Sequence, residues 1–268
     1  MNLHELKNFA REIRRLGLKM AIKAAPQASH LGGSMSCAEI IATLYGHAAN
    51  VSKSSTRDRI IISKAHAILA HLPALHLLGF FPEEWLYTAY EDGGVLVCRP
   101  RKPELGLEFS GGSLGMGVCL AVGMAITAKH DRMTHRVYTL LGDGECNEGS
   151  VWEALTAAKK FALDNLTVII DRNGLQYDGF TDDIMPMNIE AILHALDFTV
   201  ESVNGHDIEA LCAAFDSAHD GKPKAIVAHT IKGKGVSRFE NNVDSHHTAI
   251  TQADYDEALA RLEAEDND

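Results

Sequence analysis

The sequence predicts an α/β fold, a mostly parallel sheet with helices on both faces, and three observations carry that prediction. Apolar residues Val137 to Leu141 make a short buried-strand signal, and Leu166 to Ile170 make a second. Between them Gly142-Asp143-Gly144 forms a tight turn and Val151 to Phe161 has helical spacing. A chain of 268 residues with 46% hydrophobic content can bury a substantial core around such a unit. A right-handed crossover makes the two strands parallel neighbours. Asp143 and Asn173 then emerge together at the strands' C-terminal edge, where open parallel sheets bind ligands.

The remaining elements follow in order. Leu3, Leu6, Ala10, Ile13, Leu16 and Met20 recur at helical spacing, so the chain opens with an amphipathic helix. In Ser29-His30-Leu31-Gly32-Gly33-Ser34-Met35 the glycines are expected to break the helix. Ser36-Cys37-Ala38-Glu39 then restarts one as a capping box ahead of Ile40, Ile41 and Leu44. Arg59 to Ser63 reads as a buried strand, and Lys64-Ala65-His66-Ala67 leads into a helix with Pro73 inside it. Phe81-Pro82 resembles a helix start, and Asp92 to Glu108 is a loop rich in Gly, Pro and Arg. Phe109 to Gly117 is a flexible turn feeding an apolar helix, Val118 to Ala128, expected to be buried. Helices are expected over Asn188 to Leu196 and over Ile208 to Ala218, the second capped near Asp207. A strand follows over Ala225 to Ala228, and an amphipathic helix through Tyr255, Leu259 and Leu262 closes the chain. No linker, repeat or low-complexity tract divides residues 1–268, which predicts a single domain.

A net charge of −11 and a pI near 5.7 argue against nucleic acid or an anionic membrane as partner. The five cysteines are scattered, with no C-x-x-C pair, which suits reduced thiols and a cytoplasmic setting. The longest apolar run, Val118 to Ala128, is too short to span a bilayer.

Asp143 and Asn173 offer a carboxylate and an amide oxygen without sulfur, a donor set for a hard cation. Mg²⁺ uses one or two carboxylates and completes its octahedron with water and phosphate oxygens, so the expected guest is Mg²⁺ carrying a diphosphate. Glycines beside Asp143 permit close approach of backbone N–H groups to phosphate. Gly142-Asp143-Gly144 alone equally describes an ordinary strand–turn–helix in which Asp143 caps the helix. A dinucleotide fingerprint fits less well, because Asn147 stands where its third glycine is required.

Gly142-Asp143-Gly144 followed by Asp171-Arg172-Asn173-Gly174-Leu175 resembles the thiamine-diphosphate motif, in the form found in the transketolase family. The resemblance implies a diphosphate-binding (PP) domain fold. It implies Mg²⁺, or another divalent cation such as Ca²⁺ or Mn²⁺, on Asp143, Asn173 and the Leu175 carbonyl. Ser29-His30-Leu31-Gly32 is similar to the family turn whose His faces the substrate channel, which gives His30 that role. Ser63-Lys64-Ala65-His66-Ala67 is similar to the family's S-K-G-H-A, which places His66 beside diphosphate and sugar, with Ala65 replacing a glycine. Gly112, Ser113 and Leu114 match the stretch that contacts the aminopyrimidine side. Gly142, Gly144 and Glu145 fall at the cofactor turn, and Glu148 matches a Glu at the subunit interface near the partner's catalytic Glu. Thr230-Ile231-Lys232-Gly233-Lys234-Gly235-Val236-Ser237, with Glu240-Asn241-Asn242 and Ser245-His246-His247, resembles the family's K-G-K-G-V-S, E-N-N and W-H-G run. His246 there implies contact with diphosphate and aid in proton transfer, with altered neighbours Ser245 and His247. Cys98-Arg99-Pro100 stands where the family has G-H-P. An Arg fork suits a carboxylate, phosphate or sulfonate better than a hydroxyl, so Arg99 is a candidate substrate residue; its alternative is an ion pair with Glu104 or Glu108.

Full-length transketolases carry a pyrimidine-binding domain, with the catalytic Glu that activates the cofactor, after the region matched here. The resemblance therefore implies the N-terminal subunit of a split enzyme, paired with a second polypeptide as an α₂β₂ heterotetramer. Together they would move a two-carbon ketol unit from a ketose to an aldose, free or phosphorylated. The alternatives are an α subunit of a 2-oxoacid dehydrogenase, a deoxyxylulose-phosphate synthase fragment, or a non-catalytic paralogue that binds thiamine diphosphate.

Overall fold

A computed structural model describes residues 1–264 apart from Pro26, Ser55, Cys98, Arg99 and Asp220. Its frame is a five-stranded, all-parallel sheet: β1 (Arg59–Ile62), β2 (Val137–Gly142), β3 (Leu166–Arg172), β4 (Thr199–Asn204) and β5 (Lys224–His229), in spatial order β1-β2-β3-β5-β4. The helices are α1 (Leu3–Ala24), α2 (Leu31–Met35), α3 (Ala38–Thr43), α4 (Ile68–Leu77), α5 (Met116–His130), α6 (Gly149–Lys160), α7 (Thr181–Ile184), α8 (Ile189–Ala195), α9 (Ile208–Asp216) and α10 (Gln252–Ala264).

Strand side chains alternate between faces, and each face has its own core. Ile60, Ile62, Leu140 and Ile169 pack beneath α1, α3, α4 and α9, whereas Ile61, Leu141, Val168 and Ile170 pack beneath α5, α6 and α8. Helices on both faces are thus borne out. The chain leaves β3, skips one place to β4 and returns to β5, with α8 on one face and α9 on the other. Winding reverses beside β3, and the C-terminal edge there is the natural crevice of an open parallel sheet.

Four local expectations change. The glycines of 32–33 do not break a helix: they lie in α2, and a Cβ on Gly32 would meet Ser245 Oγ at 2.4 Å, so glycine permits a close approach. The Ser36–Glu39 capping box does not form. Ser36 Oγ donates to Asp171 Oδ2 at 2.6 Å, Glu39 is held by Arg14, and α3 starts after Cys37 without a side-chain cap. The strand β4 had no sequence signal, because none of its side chains is fully buried. Apolar α5 is buried on one side only. Met116 and Leu120 are 55% and 37% exposed, with Cys119 between them. Ala65, by contrast, is not among the residues with positive φ, so alanine in place of glycine carries no backbone strain. None of the described helices is long and apolar enough to cross a membrane.

Candidate functional site

A cleft of about 580 Å³ opens at the C-terminal ends of β2 and β3. Asp143 follows β2 directly and Asn173 follows β3, and both line it, as do Leu175, His66, Lys232 and His246. The Asp143 carboxylate ties the two loops together. Its Oδ1 accepts from Gly144 N–H at 2.8 Å, and its Oδ2 accepts from Gly174 N–H at 2.6 Å. Gly174 sits at φ +75°, a turn that glycine adopts without cost. Asn173 Oδ1 accepts from Leu175 N–H at 3.2 Å, and its Nδ2 donates to Asp171 Oδ2 at 3.2 Å. Burial, and then the neighbouring Asp171 carboxylate, pushes Asp143 up to about 6. A carboxylate held where its own charge is disfavoured, among oxygen donors and without a thiolate, fits a hard divalent cation.

Two lysines face this group. Buried Lys64 pairs with Asp171 and donates to Ser36 Oγ at 3.1 Å. Lys232 Nζ donates to the carbonyls of Leu175 at 3.0 Å and Gln176 at 3.4 Å, and lies 3.1 Å from His246 Nδ1. Burial, then the Lys64 charge, brings Lys232 down to about 8. Burial, then Lys232 and Lys64, brings His246 down to about 4, so its imidazole is neutral near pH 7. The cleft thus sets two lysines against the carboxylates that line it. His30, at the N-terminus of α2, stacks on His66 with centroids 4.0 Å apart, and His246 meets the two edge-on at 5.7 and 4.8 Å. His247 lies 4.7 Å from His30.

The family model described as "Transketolase, thiamine diphosphate binding domain" matches residues 6–267. The chain belongs to the transketolase family. A 6-deoxy-6-sulfo-D-fructose transketolase subunit, SqwG, from Clostridium sp. is 37% identical over 270 residues, covering 97% of both chains. An apulose-4-phosphate transketolase subunit from Phocaeicola vulgatus is 35% identical, covering 100% of this chain and 99% of its own. Human transketolase is 35% identical over 258 residues, and that match spans 40% of its length. The crystal structure of transketolase from Campylobacter jejuni superposes with a TM-score of 0.90 at 29% identity, over 98% of this chain and 43% of that one. This chain therefore spans the subunit relatives nearly end to end and about two-fifths of the single-chain transketolases.

Within this transketolase fold the expected residues divide. Asp143, Asn173, Leu175, His66, His246, Gly112, Leu114, Gly142, Gly144 and Glu148 all line the cleft. His30 joins through its stack on His66. Ser113 is exposed and is not among the lining residues. Glu145 lines the cleft but turns its carboxylate into the fold: it accepts from Ser63 Oγ, from Gly115 N–H at 2.9 Å and from Gly142 N–H at 3.3 Å. It braces the turn instead of presenting a carboxylate to a ligand. Arg99 lies outside the described residues, and Glu108, one of its two suggested partners, pairs with Arg57. Sequence reasoning missed Lys64, Asp171 and Lys232 as site residues. Each sits inside a motif already noted, but only the fold shows which side chains turn inward.

Proposed function

We propose that this chain is the cofactor-anchoring subunit of a two-chain transketolase, a transferase that moves a two-carbon ketol unit from a ketose or ketose phosphate to an aldose or aldose phosphate. The observation that carries this reading is Asp143 and Asn173, from separate loops, joined through Gly174 over one cleft with Lys232 opposite. In this reading Asp143, the Asn173 amide oxygen and the Leu175 carbonyl hold Mg²⁺, and Lys64 and Lys232 offset diphosphate charge. Residues 1–268 form one diphosphate-binding domain.

Thiamine diphosphate, when bound, supplies a nucleophilic carbon for the ketose carbonyl. The chain's own residues position that carbonyl and handle protons. The Lys232 ammonium donates to His246 Nδ1, which leaves the ring proton on Nε2, so His246 enters as a hydrogen-bond donor to an oxygen in the cleft. His30 and His66, their rings stacked at 4.0 Å, bring two imidazoles together beside His246. Such a pair suits a step in which a donor hydroxyl loses a proton and an acceptor regains one.

The second subunit is proposed on the exposed face of α5. Met116, Cys119 and Leu120 lie open beside Ser113 and Glu148 at the cleft mouth, an apolar patch that a pyrimidine-binding subunit bringing the catalytic Glu would cover. The assembly is proposed as an α₂β₂ heterotetramer in the cytoplasm, a setting that the four free cysteines among the described residues suit. Arg99 is proposed to bias donor choice. The tests are calorimetric titration of the chain with thiamine diphosphate, with and without Mg²⁺, and a ketol-transfer assay after co-expression with the partner. Absence of Mg²⁺-dependent binding would overturn the reading. Binding without turnover in the assembled complex would favour a non-catalytic paralogue.

A further inference from the structure

We propose that Asp171 is a positioning residue that sets which way the Asn173 amide faces, so that its oxygen and not its NH₂ group is turned to the cation. The proposal rests on the cation-binding role given to Asn173 above. Asp171 lies one residue before the end of β3, opposite Gly142 on β2 and Ala228 on β5, and is fully buried. Its side chain gathers donors from four stretches of chain. Oδ2 accepts from Ser36 Oγ at 2.6 Å, from Lys64 Nζ and from Asn173 Nδ2 at 3.2 Å, and Oδ1 accepts from Thr230 Oγ1.

A carboxylate only accepts hydrogen bonds, whereas an amide can offer either end. Beside Asp171, Asn173 must therefore turn its NH₂ inward. Its oxygen is left on the far side, where one lone pair takes Leu175 N–H at 3.2 Å and the other faces onward. Without an acceptor at position 171, only the Leu175 N–H at 3.2 Å still favours this orientation, and the flipped form sets N–H dipoles against a cation. Lys64, on the same oxygen, balances the buried carboxylate's charge without competing for the amide. Partners that orient a metal ligand from behind typically change affinity ten- to a hundredfold when lost, roughly the size expected here.

The test compares two full-length double variants, so that no unpaired buried cation confuses the result. Lys64→Met/Asp171→Asn keeps an acceptor oxygen, and Lys64→Met/Asp171→Leu removes it. Free Mn²⁺ is followed by electron paramagnetic resonance during titration at saturating thiamine diphosphate, with thermal melting as a check on folding. The leucine form is expected to bind Mn²⁺ about ten- to a hundredfold more weakly than the asparagine form. Once Asn173→Ala is added to both, the difference should shrink to less than about threefold, because the oriented group is gone. Equal Mn²⁺ affinities in the two double variants, or the same loss with and without Asn173, overturn the proposal. If leucine is not tolerated, Lys64→Met/Asp171→Ala makes the same comparison. If wild-type chain binds Mn²⁺ no better with the cofactor than without it, the function proposed above has failed, and this inference with it.

Discussion

Replacing Glu39 by Gln is the perturbation whose size the structure sets most directly. Glu39 is buried on α3, and both its oxygens are taken by Arg14 of α1, Nη1 to Oε1 at 2.5 Å and Nη2 to Oε2 at 2.9 Å. His206 Nδ1 adds a contact to Oε2 at 2.9 Å, and its Nε2 accepts from Ile231 N–H at 2.9 Å, one residue before Lys232. Burial acts to raise the carboxyl, but Arg14 and His206 together bring it from 4.5 down to about 2. At about 1.4 kcal/mol per pH unit, that gap corresponds to roughly 3 kcal/mol of stability. Because the folded value is depressed, this stability is fully present above pH 4.5 and is lost as pH falls towards 2. Seen from the other partner, the Gln variant leaves Arg14 buried without its counter-charge, for which about 3–5 kcal/mol is usual. At about 2–4 °C per kcal/mol for a chain of this size, Glu39→Gln should melt about 6–20 °C below wild type at pH 7.5. The difference should narrow as pH is lowered from 5 towards 3. Circular-dichroism melts across that range decide it. A drop of less than about 2 °C at pH 7.5, or one that stays constant with pH, refutes the reasoning.

Other consequences are smaller to state. Asp143→Ala should weaken Mg²⁺-dependent binding of thiamine diphosphate by at least about a hundredfold in calorimetry while leaving the fold intact. Lys232→Met removes one charge-assisted contact, and cofactor affinity measured the same way should fall about ten- to a hundredfold. Leu120→Arg, on an exposed position of α5, should leave melting of the isolated chain unchanged but weaken association with the second subunit by about tenfold or more in analytical ultracentrifugation. Arg99→His should change relative kcat/KM among ketose donors in the assembled enzyme, and an unchanged ranking would remove Arg99 from donor selection.

Much of this protein is legible in one dimension because burial leaves a periodic trace. The strands β2, β3 and β5 are doubly covered and read as apolar runs, and α1 shows its buried stripe from Leu6 to Met20. The edge strand β4 lacks that trace because its side chains are half-buried or exposed, whereas β1, at the other edge, is buried from Ile60 to Ile62. The missing capping box at Ser36 shows the other limit. A serine two residues before a helix is a good local cap, but a buried carboxylate 135 positions away competes for its hydroxyl and wins, since a charge-assisted bond is stronger than a cap.

The exposed half of α5 marks a similar boundary: hydrophobicity is readable in sequence, but which body buries it is not. What the chain determined by itself is the kind of sheet, the order of its motifs and the oxygen chemistry of Asp143 and Asn173, since these depend on residue type and local spacing. Only the tertiary structure decided that Glu145 faces inward, that His30 lies on His66, that Lys64 and Lys232 line the cleft, and that Asp171 lies buried behind Lys64 and Asn173. The physical reason is that hydrogen bonds and ion pairs in a buried crevice are chosen by distance in space. Residues far apart in the chain meet there through packing that no short window of sequence contains.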